Sequence, residues 1–149
     1  MNENFEHRIL WVDDDINDIF LLLHPLQKKG IKIEKSGYLP EAYDLLKKDS
    51  EFDLIVLDLL MPITDRYGDI PDWLKNGESD GTNGIKLLHE IRRSFGYTMP
   101  VLILSVVPDA IAEMNIDKDF APVEFVHKST LQIQNILTKI PEMLALNQK

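Results

Sequence analysis

The feature that most constrains this chain is a set of short, wholly apolar runs, two of which end in aspartate. RILWVDD (Arg8 to Asp14) closes on the pair Asp13-Asp14, and FDLIVLDLLMP (Phe52 to Pro62) places Asp58 directly after its first apolar stretch. A short run that is apolar at every position fits a strand buried on both faces, as in a parallel sheet covered by helices. Such sheets collect their chemistry at the C-terminal ends of the strands. Two of these strands side by side would bring three carboxylates to one rim. Like charges that close call for a cation, and oxygen-only donors favour Mg²⁺.

The rest of the chain alternates in the same rhythm. Ile9-Val12, Ile31-Lys35, Leu54-Leu57, Val101-Leu104 and Val123-Val126 are the expected strands. Between them, apolar residues recur at helical spacing from Asp18 to Lys29, from Pro40 to Lys48, from Gly84 to Ser94, and from Leu131 to Leu146, with a shorter helix over Asp109-Asn115. Gly30 is placed to stop the first helix, and Pro40 to open the second. Pro141 falls inside the last pattern and predicts a kink or a break there. Strands alternating with helices in this way predict an α/β fold: a doubly wound, five-stranded parallel sheet with helices on both faces.

One connection departs from the pattern. About two dozen residues, LMPITDRYGDIPDWLKNGESDGTNG, separate Leu59 from the helix at Gly84, where strand-to-helix loops usually take roughly two to six. The insertion, about residues 63–83, is expected to be mostly irregular, with Ile70, Pro71, Trp73 and Leu74 as a small apolar cluster. Two roles are open for it. Trp73 could anchor the loop on itself, or the loop could serve as a lid or docking element beside Asp58.

Composition excludes several classes. The chain has 149 residues, 25 acids against 16 Lys plus Arg, and a formal net charge of -9. A surface of that sign opposes direct nucleic-acid binding, which depends on neutralising phosphates. No apolar run approaches the roughly 18 residues of a membrane span. The start, MNENFEHRIL, has no signal-peptide pattern. There is no cysteine, so disulfide and thiolate chemistry are absent and a cytoplasmic location is expected.

Other strand ends complete a chemical inventory. Ser105 follows VLIL and Lys128 follows EFVH. No histidine among His7, His24, His89 and His127 is placed to activate Ser105, so a Ser-His-Asp arrangement is not indicated. A carboxylate cluster, a hydroxyl and an ammonium suit phosphoryl transfer instead. The hydroxyl and Lys128 would meet phosphoryl oxygens, Asp13 and Asp14 would serve a metal, and Asp58 would be the nucleophile.

With these pieces in order, the chain resembles a response-regulator receiver domain of two-component signalling, the CheY-like form of the flavodoxin-like fold. The resemblance rests on ILWVDDD (Ile9 to Asp15), LIVLDLLMP (Leu54 to Pro62), Gly84 before its helix, LILS (Leu102 to Ser105) and FVHK (Phe125 to Lys128). It covers the chain apart from the insertion. It implies a single receiver domain with strand order 2-1-3-4-5, a phospho-acceptor at Asp58, and a histidine kinase or phosphotransfer protein as donor. It further implies Mg²⁺ held by Asp13, Asp14, Asp58 and the main-chain carbonyl of Leu60. Ser105 would be the switch hydroxyl, Lys128 the conserved-type lysine, and Phe125 the aromatic that rotates inward on phosphorylation. Such a protein is a signalling module rather than an enzyme, with Mg²⁺-dependent self-phosphorylation and slow self-dephosphorylation.

Three departures from the family's pattern stand beside the long insertion. Val106 occupies a place where a small residue is usual, so its methyl groups should slow access to the phosphoryl group. Ser129 replaces the proline that normally follows the lysine. A cis peptide there would cost about 2.5–4 kcal/mol, which predicts trans. Phe125 lacks the hydroxyl of a tyrosine, so its switch would work by packing alone. No output domain is visible in the sequence, so a complete protein of this kind would signal through a phosphorylation-dependent protein contact or by onward phosphotransfer. The competing expectation is a receiver-like scaffold that binds partners without phosphate.

Overall fold

A computed structural model of the chain describes residues 7–14, 20–61, 68–75, 83–105, 118–127 and 133–146. Five strands, β1 (His7–Val12), β2 (Ile31–Ser36), β3 (Leu54–Asp58), β4 (Val101–Ser105) and β5 (Val123–His127), form one sheet in the order β2-β1-β3-β4-β5. Every pairing is parallel, with Ile9 opposite both Ile33 and Leu54, Leu57 opposite Ile103, and Ile103 opposite Phe125.

The apolar runs are explained by the period of two along a strand. Leu10, Val12, Ile55, Leu57, Val101 and Ile103 face one core, and Ile9, Trp11, Leu54, Val56, Leu102 and Leu104 face the other. The second core is closed by α1 (His24–Lys28), through Leu26, and by the last helix, α5 (Ile133–Leu146), through Ile136, Ile140, Met143 and Leu144. The first is closed by α2 (Leu39–Lys48), α3 (Asp72–Lys75) and α4 (Gly84–His89), which contribute Leu39, Leu46, Leu74, Ile85 and Leu88. No helix among the described residues is long and apolar enough to cross a membrane.

Several helices differ from their sequence patterns. The first is a 3-10 turn, Phe20–Leu23, followed by α1 with Pro25 in its first turn. Pro25 has no amide to donate and its ring crowds the preceding turn, which disfavours one continuous α-helix here. Gly30, with φ +91°, ends the segment. The helix from Gly84 changes to a π-helical turn over Glu90–Ser94. Pro141, by contrast, does not break α5, which is helical from Ile133 to Leu146. Burial of Ile140, Met143 and Leu144 around it offsets the lost hydrogen bond. The short helix expected over Asp109-Asn115 lies outside the described residues.

Within the insertion, α3 is a helical turn docked on the rest of the fold. Trp73 stacks on Tyr43 of α2, with ring centroids 4.9 Å apart and planes 17° from parallel. Lys86 of α4 donates to the Leu74 carbonyl at 2.8 Å, a cation at the C-terminal end of a helical turn. Trp73 thus packs on a neighbouring helix.

Candidate functional site

The acid pair and the single acid converge because β1 and β3 are adjacent and run in parallel. Beyond β1, the Asp13 amide donates to the Ser36 carbonyl at 2.9 Å, extending the β1–β2 ladder by one residue. Asp58 is the last residue of β3 and pairs in register with Leu104. Just past it, the Leu59 amide donates to the Leu104 carbonyl at 3.1 Å. These ladders hold the backbone of both acids. One carboxylate oxygen from each of Asp13, Asp14 and Asp58 lies within 4.8 Å of the others. Asp13 is 1% exposed and Asp58 3%, while Asp14 faces solvent.

At that spacing two like charges repel by on the order of 3 kcal/mol at an effective dielectric constant near 20. The cluster is therefore a place where a cation is favoured. The donors are all hard oxygens, two buried and one open to water. That set suits Mg²⁺, which keeps several of its own waters and takes few protein ligands. The Leu60 amide donates to Asp58 Oδ1 at 3.1 Å, which orients that carboxylate.

The backbone behind Asp58 is braced by the start of α4. The Gly84 amide donates to the Leu59 carbonyl at 3.0 Å. A Cβ on residue 84 would lie 2.9 Å from Leu59 Cα and would overlap the Asp58 carbonyl oxygen, so only glycine fits. Beside it, Asn83 is buried and its Nδ2 donates to the Met61 carbonyl at 2.9 Å. Sequence reasoning singled out Gly84 only through resemblance and passed over Asn83. Thr-Asn-Gly before a helix reads as an ordinary cap signal.

The remaining candidates are placed in part. Ser105 ends β4 and pairs in register with His127, the last residue of β5. Both strand ends are next to the acidic rim, because β4 adjoins β3 and β5 adjoins β4. Lys128, Val106, Ser129 and Asp15 lie outside the described residues. Phe125 is half-buried against the first core. Leu60 is 38% exposed, one of two large apolar side chains reaching solvent among the described residues.

No protein-family model matches the sequence, and no curated protein matches it. Solved structures do match in fold. The receiver domain of a Francisella response regulator superposes with a TM-score of 0.68 at 22% identity, covering 96% of this chain and 100% of that one. The response regulator TrrA of Thermotoga maritima, in complex with Mg²⁺-BeF, gives 0.63 at 24% identity, covering 92% and 98%. The signal receiver domain of a putative LuxO repressor protein from Vibrio parahaemolyticus gives 0.65 at 18%, covering 95% and 92%. The chain has the fold of response-regulator receiver domains: the CheY-like, flavodoxin-like parallel sheet in the order 2-1-3-4-5.

Proposed function

We propose that this chain is a phospho-acceptor receiver, interrupted by the insertion at 63–83, in which Asp58 takes a phosphoryl group from a histidine kinase or phosphotransfer protein. The reading rests on the carboxylate cluster, with oxygens of Asp13, Asp14 and Asp58 within 4.8 Å at the rim of a receiver fold. A solved structure of the same fold carries Mg²⁺-BeF, which supports Mg²⁺ as the ion. Here it would be held by Asp13, Asp14, Asp58 and the Leu60 main-chain carbonyl, and when bound it supplies positive charge against the phosphoryl oxygens.

The chain's own groups divide the remaining work. An Asp58 carboxylate oxygen attacks phosphorus in line, a P–O bond forms, and the P–N bond to the donor's imidazole breaks. The imidazole leaves with a proton, and Asp58 becomes an acyl phosphate. The Leu60 amide keeps the carboxylate oriented through Oδ1. Ser105 and Lys128, from the next two strand ends, donate to phosphoryl oxygens. Phe125 repacks when Ser105 moves toward the phosphoryl group, and this carries the change to the surface where a downstream protein binds. Val106 slows the arrival of donor and water alike.

Intact mass after incubation with Mg²⁺ and acetyl phosphate tests the proposal. One added phosphoryl group is expected, and it should be absent with chelator and in Asp58→Ala. A folded protein that stays unlabelled, and also fails to bind beryllofluoride with Mg²⁺, would instead be a phosphate-independent scaffold.

A further inference from the structure

We infer that Asn83 is a positioning residue for the cation and phosphoryl site, acting through the turn at residues 59–61; the inference rests on the receiver reading above. Past Asp58 the chain leaves the sheet and must present two Leu60 groups to the site, the amide that holds Asp58 Oδ1 and the carbonyl proposed for Mg²⁺. Leu60 is itself half-open to solvent, so its orientation depends on the residues on either side. Leu59 is held twice, by its amide to Leu104 and by its carbonyl to the Gly84 amide. On the other side, the Met61 carbonyl is held by Asn83 Nδ2 at 2.9 Å, a buried bond between residues 22 apart. With 59 and 61 both fixed, the peptide groups of Leu60 have little room to rotate.

The ordinary structural reason for an asparagine at this place does not apply. Asn83 precedes α4, yet its backbone is already helical (φ -61°, ψ -26°) and its side chain makes no capping hydrogen bond. Its amide nitrogen is committed to Met61, while Oδ1 is buried with no donor among the described residues. The side chain therefore serves the turn beside Asp58 and not the helix behind it. The same bond ties Met61, just before the insertion, to Asn83 at its end. That lets a long excursion leave from beside Asp58 without disturbing the site, since residues 61 and 83 stay together whatever lies between them.

Four proteins decide the matter: wild type, Asn83→Leu, Asn83→Asp and, as a control, Trp73→Ala. Leucine keeps the γ-branched outline and removes both the donor and the unmatched oxygen. Aspartate keeps the shape and sets an acceptor against the Met61 carbonyl. Each is followed by thermal melting, by hydrogen exchange of the Leu60 and Met61 amides in metal-free protein, and by MgCl₂ titration read from backbone amide shifts at residues 13, 14 and 58–61. Both variants should fold, exchange faster at residues 60 and 61, and bind Mg²⁺ about tenfold more weakly, as expected for loss of a group that orients a metal ligand. Trp73→Ala, which loosens the insertion elsewhere, should leave the Mg²⁺ affinity within about twofold of wild type. Unchanged exchange and Mg²⁺ affinity in a folded Asn83→Leu protein would overturn the inference. Failure of both Asn83 variants to fold would also overturn it, making Asn83 a determinant of folding. If wild type bound no Mg²⁺ while the variants still exchanged faster at 60 and 61, the receiver reading would fail and the clamp would stand.

Discussion

Asp13 and Asp58 are carboxylates nearly removed from water, each with its oxygens near two other acids. In the absence of a cation, that proximity works against the fold. Asp13→Asn should therefore raise the melting temperature of metal-free protein by about 2–4 °C, the equivalent of roughly 1 kcal/mol in a chain of this size. It should also remove most of the Mg²⁺-induced stabilisation, which for wild type is about 2.7 kcal/mol at a concentration of 100 Kd. Equal Mg²⁺-induced shifts in the two proteins would contradict the assignment. At this scale, legibility depended on the type of partner. Asp13, Asp14 and Asp58 were visible because acids at the ends of apolar runs are conspicuous, and adjacent strands bring them together. Asn83 and Arg92 were not, because their partners are main-chain carbonyls, which leave no mark in a sequence. Arg92 donates to the carbonyls of Tyr97, Phe120 and Pro122. Burial lowers its pKa to about 10, so it stays charged at neutral pH.

Strands were read more accurately than helices. Each expected strand is present, extended by one or two residues: burial on both faces makes β1, β3 and β4 apolar runs, while the edge strand β2 alternates. Helix ends depended on details that periodicity does not carry, such as Pro25 and the π-helical turn at Glu90–Ser94. The docking of α3 was equally hidden, since Trp73 and Tyr43 are far apart in sequence and periodicity does not say which segment packs on which. Trp73→Ala should cost about 1–3 kcal/mol in urea unfolding, from lost burial and stacking; a cost below 0.5 kcal/mol, on the order of a surface substitution, would mean that α3 is not held there. A second tie joins β1, β2 and the loop after α2. Arg8 donates to Asp49 Oδ2 at 2.7 Å and to Glu34 Oε1 at 3.0 Å. The Arg8 bond, aided by the Glu51 amide, holds the Asp49 carboxyl below its ordinary 3.8. A lowered carboxyl pKa means that the pair stabilises fully above that value and ceases to do so as pH falls through the folded-state value. Asp49 is more than a third exposed, so Asp49→Asn should cost less than about 1 kcal/mol at pH 7. The gap to wild type should narrow as pH drops below 3.8, and a gap that widened there would refute the assignment.

Across the whole molecule, one topological fact makes the site. The order β2-β1-β3-β4-β5 sets the acids of β1 and β3 side by side and brings the ends of β4 and β5 in next to them. The alternation of apolar runs with helical patterns was enough to read a doubly wound parallel sheet. The order of its strands came from the resemblance, because pairing between distant segments is not written in any one of them. The insertion sits outside this logic, its base closed by Asn83 and its helical turn laid on α2 and α4. The central claim, that Asp58 is the residue that becomes phosphorylated, is most directly tested by locating the modification. Protein treated with Mg²⁺ and acetyl phosphate is reduced with borohydride, which converts an aspartyl phosphate to homoserine, and is then mapped by peptide mass spectrometry. The account predicts homoserine at position 58 alone, only when Mg²⁺ is present. Conversion at another aspartate, or none in protein that remains folded, would contradict it.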